Sequence, residues 1–128
     1  MREIEVLADE MRVSAFMERV ETAPEGFFGG HPGMRSRFLV KRSPDAAYRT
    51  MPEAFGTICK GKFSDAYMKH GDVIRIETAG GGGYGDPRER DLGKIIDDVR
   101  NGFVSAACAE AEYSVRVNDD GTVDRPVA

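Results

Sequence analysis

Gly71-Asp72-Val73-Ile74-Arg75-Ile76-Glu77-Thr78-Ala79-Gly80-Gly81-Gly82-Gly83-Tyr84-Gly85-Asp86-Pro87 is the stretch whose reading decides this fold. Ile74 and Ile76 alternate with Arg75 and Glu77, the two-residue period of a strand with one face buried. Gly71-Asp72 opens that strand as a turn. From Gly80 to Asp86 five of seven residues lack a Cβ, so the backbone there is free to adopt positive φ and to approach another surface closely. Asp86-Pro87 then turns the chain. The stretch reads as a strand, a sharp glycine-built bend and a stop before a helix. What the bend serves, a ligand or a packing partner, is the question it raises.

Beyond the bend the period changes. Leu92, Ile95, Ile96 and Val99 fall at i, i+3, i+4 and i+7, which aligns them on one helical face and places Ile95 and Ile96 inside. Asp91 reads as the N-cap of this helix and Asn101-Gly102 as its stop. Ser105 is positioned to cap a second, short helix with a small-residue stripe of Ala107, Cys108 and Ala111. Asn118-Asp119-Asp120-Gly121 reads as a hairpin turn between Val115–Val117 and Thr122–Val123.

Upstream, Arg2 to Leu7 alternates as a strand with Ile4 and Val6 on one face. Met11 to Val20 reads as strand or short helix, with strand preferred because no helical stripe develops. Glu21 to Gly33 is a loop, and Arg37 to Arg42 a strand. The stretch from Ser43 to Lys69 reads as irregular, broken by Pro52, Gly56 and Gly61. The expected architecture is α+β: one β-rich domain over 1–128, strand-rich over 1–79, with the glycine loop at 80–86, a helical pair at about 91–112 and a small terminal hairpin at about 114–125.

The chain has 128 residues, enough for one modest core. Charged residues make up 31% and hydrophobic ones 41%, a folded rather than a disordered composition. A net charge of -4 gives no electrostatic footprint for nucleic acid. No apolar run approaches the ~20 residues of a membrane helix. Cys59 and Cys108 are expected as free thiols, and with no secretory signal at its start the chain is expected in the cytoplasm.

Several constellations fail on their own chemistry. Gly80, Gly82 and Gly85 formally give G-x-G-x-x-G, but a dinucleotide site needs that motif to open a helix directly. Here Asp86-Pro87-Arg88-Glu89 intervenes, and no Lys-Ser/Thr pair follows to make a phosphate loop. His31, His70, Cys59 and Cys108 lack the close spacing of zinc ligands. No G-x-S-x-G elbow is present. Arg35, Arg37 and Lys41 share one face of a strand whose other face carries Phe38 and Val40, as a solvated outer face would. A second glycine cluster, Gly26-Phe27-Phe28-Gly29-Gly30-His31-Pro32-Gly33, places two adjacent aromatics in a loop. They either anchor an interface, where aromatics are enriched, or fold back into the core.

Gly71 to Thr78, the run Gly80–Gly85, Asp86-Pro87, Glu89-Arg90-Asp91, Asp98 to Gly102 and Val104-Ser105 resemble the C-terminal end of hydantoinase B proteins, the hydantoinase B/5-oxoprolinase family. Gly26 to Gly30 with Pro32-Gly33 resembles that family's Gly-Gly-x-Pro-Gly loop, Val13-Ser14 with Arg19 the segment before it, and Asp120 to Asp124 its ending. The likeness is weakest from Ser43 to Lys69. Members of the family are several-fold longer, and Met1 fits a natural start, so a separately encoded small subunit is expected. In organisation this resembles acetophenone carboxylase, which spreads its functions over several chains including a small one.

The resemblance implies a cytoplasmic, biotin-independent, ATP-dependent carboxylase or amidohydrolase complex. Its hydantoinase A-like and hydantoinase B-like large subunits would carry ATP and a divalent metal. This chain would be a structural subunit with no catalytic, cofactor or metal residue of its own. Its expected partner contacts are Phe27, Phe28, Gly82, Tyr84 and Asp86. The alternative is an autonomous module that binds a small ligand with the Gly80–Gly85 loop; a third reading is a truncated hydantoinase B fragment with no independent function.

Overall fold

The structure, a computed structural model, describes residues 1–118 and 122–124. The chain divides into two compact units, Met1–Glu25 with Pro32–Gly82, and Gly26–His31 with Gly83–Ala128. Six residues of the Gly26–Gly33 cluster thus belong with the C-terminal part of the chain.

In the first unit, strands β1 (Arg2–Glu5), β2 (Glu10–Phe16), β3 (Arg37–Lys41), β4 (Arg49–Thr50), β5 (Lys62–Lys69) and β6 (Val73–Glu77) surround a short helix α1 (Met51–Phe55). Four of them make an antiparallel sheet in the order β1-β6-β3-β4, and β2 pairs with β5 in a separate ribbon. The alternation of the opening stretch is obeyed: Phe38 faces Ile76 and Val40 faces Ile74 across β3 and β6. Phe38, Val40 and Ile74 are buried with Val6, Met51, Ala66 and Met68, while Arg37 on the other face of β3 stays exposed.

The segment read as irregular up to Lys69 is corrected here, for it contains β4, α1 and β5. Strand β5 escaped because its period slips. Asp65 stands at φ 62 and the β2–β5 register shifts between Val13 and Ala15. Phe63 and Ala66 therefore share the core side although they are three positions apart, as a β-bulge allows. The Ser14 hydroxyl oxygen accepts the freed N–H of Asp65 at 3.0 Å. Helix α1 is only five residues long and is fixed at its start by Glu53, whose carboxylate accepts both the Thr50 N–H and the Thr50 hydroxyl at 2.7 Å.

The turn from β5 into β6 is built around Asp72, which is buried. Its Oδ1 accepts the Ser43 N–H and its Oδ2 the Lys69 N–H, both at 2.9 Å. Arg42 Nε lies 3.0 Å from Oδ2, close enough for charge attraction but without hydrogen-bond alignment.

In the second unit, α2 (Leu92–Arg100) and α3 (Ala106–Tyr113) are followed by the strand pair β7 (Arg116–Val117) and β8 (Val123–Asp124). Both caps stand as expected: Asp91 Oδ1 accepts Lys94 N–H and Ser105 Oγ accepts Cys108 N–H, each at 3.1 Å. Gly102, at φ 74, ends α2. Ile95, Ala109 and Val115 form the buried core. Two expectations are corrected. Ile96 is only half-buried, and the small-residue face of α3 that packs inward is Ala109, with Ala107 and Ala111 exposed. The turn residues 119–121 and residues 125–128 lie outside the described residues. No described helix is long and apolar enough to cross a membrane.

Candidate functional site

Within the second unit the two glycine-rich segments clasp each other. Phe27 and Tyr84 are parallel bridge partners. The Phe27 N–H donates to the Gly83 carbonyl and the Gly85 N–H to the Phe27 carbonyl, both at 2.9 Å, and the Gly83 N–H donates to the His31 carbonyl at 2.8 Å. Backbones this close leave no room for side chains. A Cβ on Gly30 would run into the Gly83 carbonyl, and one on Gly26 into the Gly30 carbonyl. In the first unit, a Cβ on Gly33 would stand 2.6 Å from the Gly81 carbonyl oxygen. Gly80, Gly81 and Gly85 by contrast look onto open space, although φ 77 at Gly85 still favours glycine. The glycines demanded by packing are therefore mostly in the Gly26–Gly33 cluster, whereas the sequence reading places the close approach in the Gly80–Gly85 run.

The clasp turns its aromatic rings outward. Phe27 is 63% exposed, Phe28 78% and Tyr84 80%, so the fold-back alternative for the two phenylalanines is not taken. The Phe28 and Tyr84 rings lie 5.2 Å apart, tilted by 58°, a favourable offset geometry. Phe28 holds φ 52, a left-handed conformation that costs a non-glycine residue on the order of 1 kcal/mol. A bulky apolar ring is thus held in solvent on a strained but hydrogen-bonded backbone. Gly82 is exposed. Asp86 is exposed as well, and its Oδ1 accepts the Arg88 N–H at 2.9 Å to start the 3-10 turn Pro87–Glu89.

Beside the clasp, in the same unit, a cleft of about 250 Å³ is lined by Gly29, His31, Asp86, Arg88 and Glu112. His31 Nδ1 lies 3.0 Å from Glu112 Oε2. The pair is not visible in the sequence, because 81 positions separate His31 in its loop from Glu112 on α3.

Two of the basic residues around β3 are paired with carboxylates within the first unit. Arg37 Nε is 2.5 Å from Glu77 Oε2, and Arg42 reaches Asp72. On the outer face of the sheet the Tyr48 hydroxyl donates to Glu3 Oε1 at 2.8 Å and Arg75 Nε donates to the same oxygen at 2.7 Å. These bonds hold the Glu3 carboxyl below its usual range, the Tyr48 bond foremost. Desolvation, followed by the bond to Glu3, pushes the Tyr48 hydroxyl up. This is a solvated, self-paired face rather than a phosphate site. Cys59 and Cys108 are free thiols, and among the described residues no three of His, Cys, Asp or Glu gather as metal ligands.

An antiparallel sheet and a capped helical pair, with glycine-rich loops that expose paired aromatics, define a mixed α+β piece. The family model for hydantoinase B/oxoprolinase matches residues 1–87, and the chain belongs to that family. An uncharacterized protein of Methanocaldococcus jannaschii is 28% identical over 97% of this chain and 21% of its own length. A protein of Pseudomonas sp. assigned as the B component of a D-/L-hydantoinase is 27% identical over 97% of this chain and 19% of its own. The beta chain of the caprolactamase of Pseudomonas jessenii is 51% identical over 52 residues, 41% of this chain and 9% of its own. The crystal structure of the ATP-dependent caprolactamase from that organism matches with a TM-score of 0.57 at 26% identity, over 95% of this chain and 20% of that one. The chain thus spans about a fifth of the length of the relatives that match nearly all of it.

Proposed function

We propose that this chain is a small, non-catalytic structural piece of an ATP-dependent assembly of the hydantoinase/oxoprolinase kind, in which hydantoinase A-like and hydantoinase B-like large chains perform the chemistry. The observation that carries this reading is the exposed Phe27, Phe28 and Tyr84 surface, preset by the clasp. Aromatic anchors held rigidly before association contribute to an interface without the cost of ordering them. The names of the relatives support the rest. One is a hydantoinase component, and the caprolactamase is ATP-dependent. Opening of a cyclic amide is the reaction type those names favour; carboxylation in the manner of acetophenone carboxylase is the other member of the class. ATP and a divalent metal are assigned to the partners, as the Gly80–Gly85 run leads into Asp86-Pro87 instead of a phosphate-binding helix start.

Reconstitution tests the reading. The purified chain alone shows no ATP hydrolysis, carboxylation or amide hydrolysis, and the large chains lose activity without it. Turnover by the isolated chain that a point substitution within it abolishes would overturn the assignment.

A further inference from the structure

Residues bearing two carboxylates, an imidazole and a guanidinium line the cleft of the second unit, and their chemistry selects a class of ligand. Arg88 makes no side-chain hydrogen bond or ion pair among the described residues; only its backbone N–H is used, by Asp86. Asp86 uses Oδ1 for that bond and keeps Oδ2 open. Glu112 is engaged by His31 at 3.0 Å through one oxygen and is 45% exposed. The volume of about 250 Å³ holds a small molecule rather than a chain segment. Gly29, at φ 93, lines the cleft without a side chain, and a Cβ added there would stand 3.7 Å from the Asp86 nitrogen.

A simple anion placed here gains the Arg88 fork but faces Asp86 and Glu112. A simple cation gains the carboxylates but faces Arg88. A molecule carrying both signs satisfies each, with a carboxylate forked on the guanidinium and an ammonium against the carboxylates. We propose that the cleft between His31, Asp86, Arg88 and Glu112 binds a small zwitterion of the amino-acid class, with the carboxylate on Arg88 and the amine on Asp86 and Glu112. The ligand site is then at the foot of the glycine run and not in the run itself. Hydrolysis of a cyclic amide leaves an amine and a carboxylate on one molecule, so the source of such a ligand rests on the ring-opening reading above, while the binding itself does not.

The test uses the full chain alone, with backbone amide shifts followed by NMR as ω-amino acids from glycine to 6-aminohexanoate are added. Each is compared with the carboxylic acid and the amine of the same carbon count. At least one zwitterion is expected to shift the amides of Gly29, Asp86 and Arg88 saturably by ~10 mM, about tenfold more tightly than either comparator. Arg88→Gln and Glu112→Gln, both at exposed positions and so expected to keep the native amide dispersion, each weaken it by about tenfold. An acid or amine that binds as tightly as its zwitterion, shifts that do not saturate, or variants that bind like the parent would overturn the proposal. Loss of ring-opening activity in the assembly would refute the ring-opening reading while leaving these shifts unchanged.

Discussion

Phe27 and Tyr84 are neighbours through backbone alone: the Phe27 N–H and carbonyl bond to the residues on either side of Tyr84, Gly83 and Gly85, at 2.9 Å each. The rings are left outside this bridge, and glycines on the far side make it possible. Gly30→Ala forces a methyl into the Gly83 carbonyl and should destabilise by about 1–3 kcal/mol, as overpacking does. Gly80→Ala meets open space and should stay within about 0.5 kcal/mol of the parent. Chemical denaturation of the two variants compares them, and equal stabilities would mean that the clasp is not closed in solution.

Asp72 gathers two N–H donors and the Arg42 charge at the entrance to β6. Asp72→Ala removes the acceptor from both N–H groups and the counter-charge from Arg42 at a buried position and should cost about 3–5 kcal/mol. A thermal midpoint within a degree or two of the parent would show that the turn holds without it.

In α2 the apolar stripe predicts two inward isoleucines, and only Ile95 is fully buried. Ile95→Ala should cost about 2–5 kcal/mol and Ile96→Ala clearly less. The reverse order under denaturant would place Ile96 in the core.

How far the sequence carries follows from where periodicity exists. Val73–Glu77 and Arg37–Lys41 announce themselves because Ile74, Ile76, Phe38 and Val40 keep a strict two-residue period into one core. Strand β5 does not, because positive φ at Asp65 slips the phase between Phe63 and Ala66. Helix α2 is legible from its stripe and caps, but a helix of nine residues with one inward line buries one isoleucine fully rather than two. Phe27, Phe28 and Tyr84 stand out as aromatics in glycine-rich loops. That Phe27 and Tyr84 meet leaves no local trace, since loop-to-loop bridging has no repeat to read. The same holds for His31 and Glu112.

Glu3 titrates below the ordinary carboxylate range because the Tyr48 hydroxyl and Arg75 bond to it. A carboxyl depressed in the folded state adds stability above its unfolded pKa and loses it as pH falls through the folded one. The stability difference between the parent and Glu3→Gln should therefore be complete at neutral pH and shrink on acidification through the carboxylate range. A difference that stays constant down to the lowest pH at which the chain folds would remove the ionised Glu3 from the account.

Native mass spectrometry of the chain purified from its own cells, as parent and as Tyr84→Ala, tests the central claim that the Phe27, Phe28 and Tyr84 surface docks this piece onto much larger chains. The account predicts that the parent travels with large hydantoinase-type subunits. It also predicts that Tyr84→Ala weakens that association while leaving the thermal midpoint of the isolated chain unchanged, since Tyr84 is 80% exposed. A parent found alone or only with copies of itself, or a Tyr84→Ala chain that assembles as tightly as the parent, would contradict it.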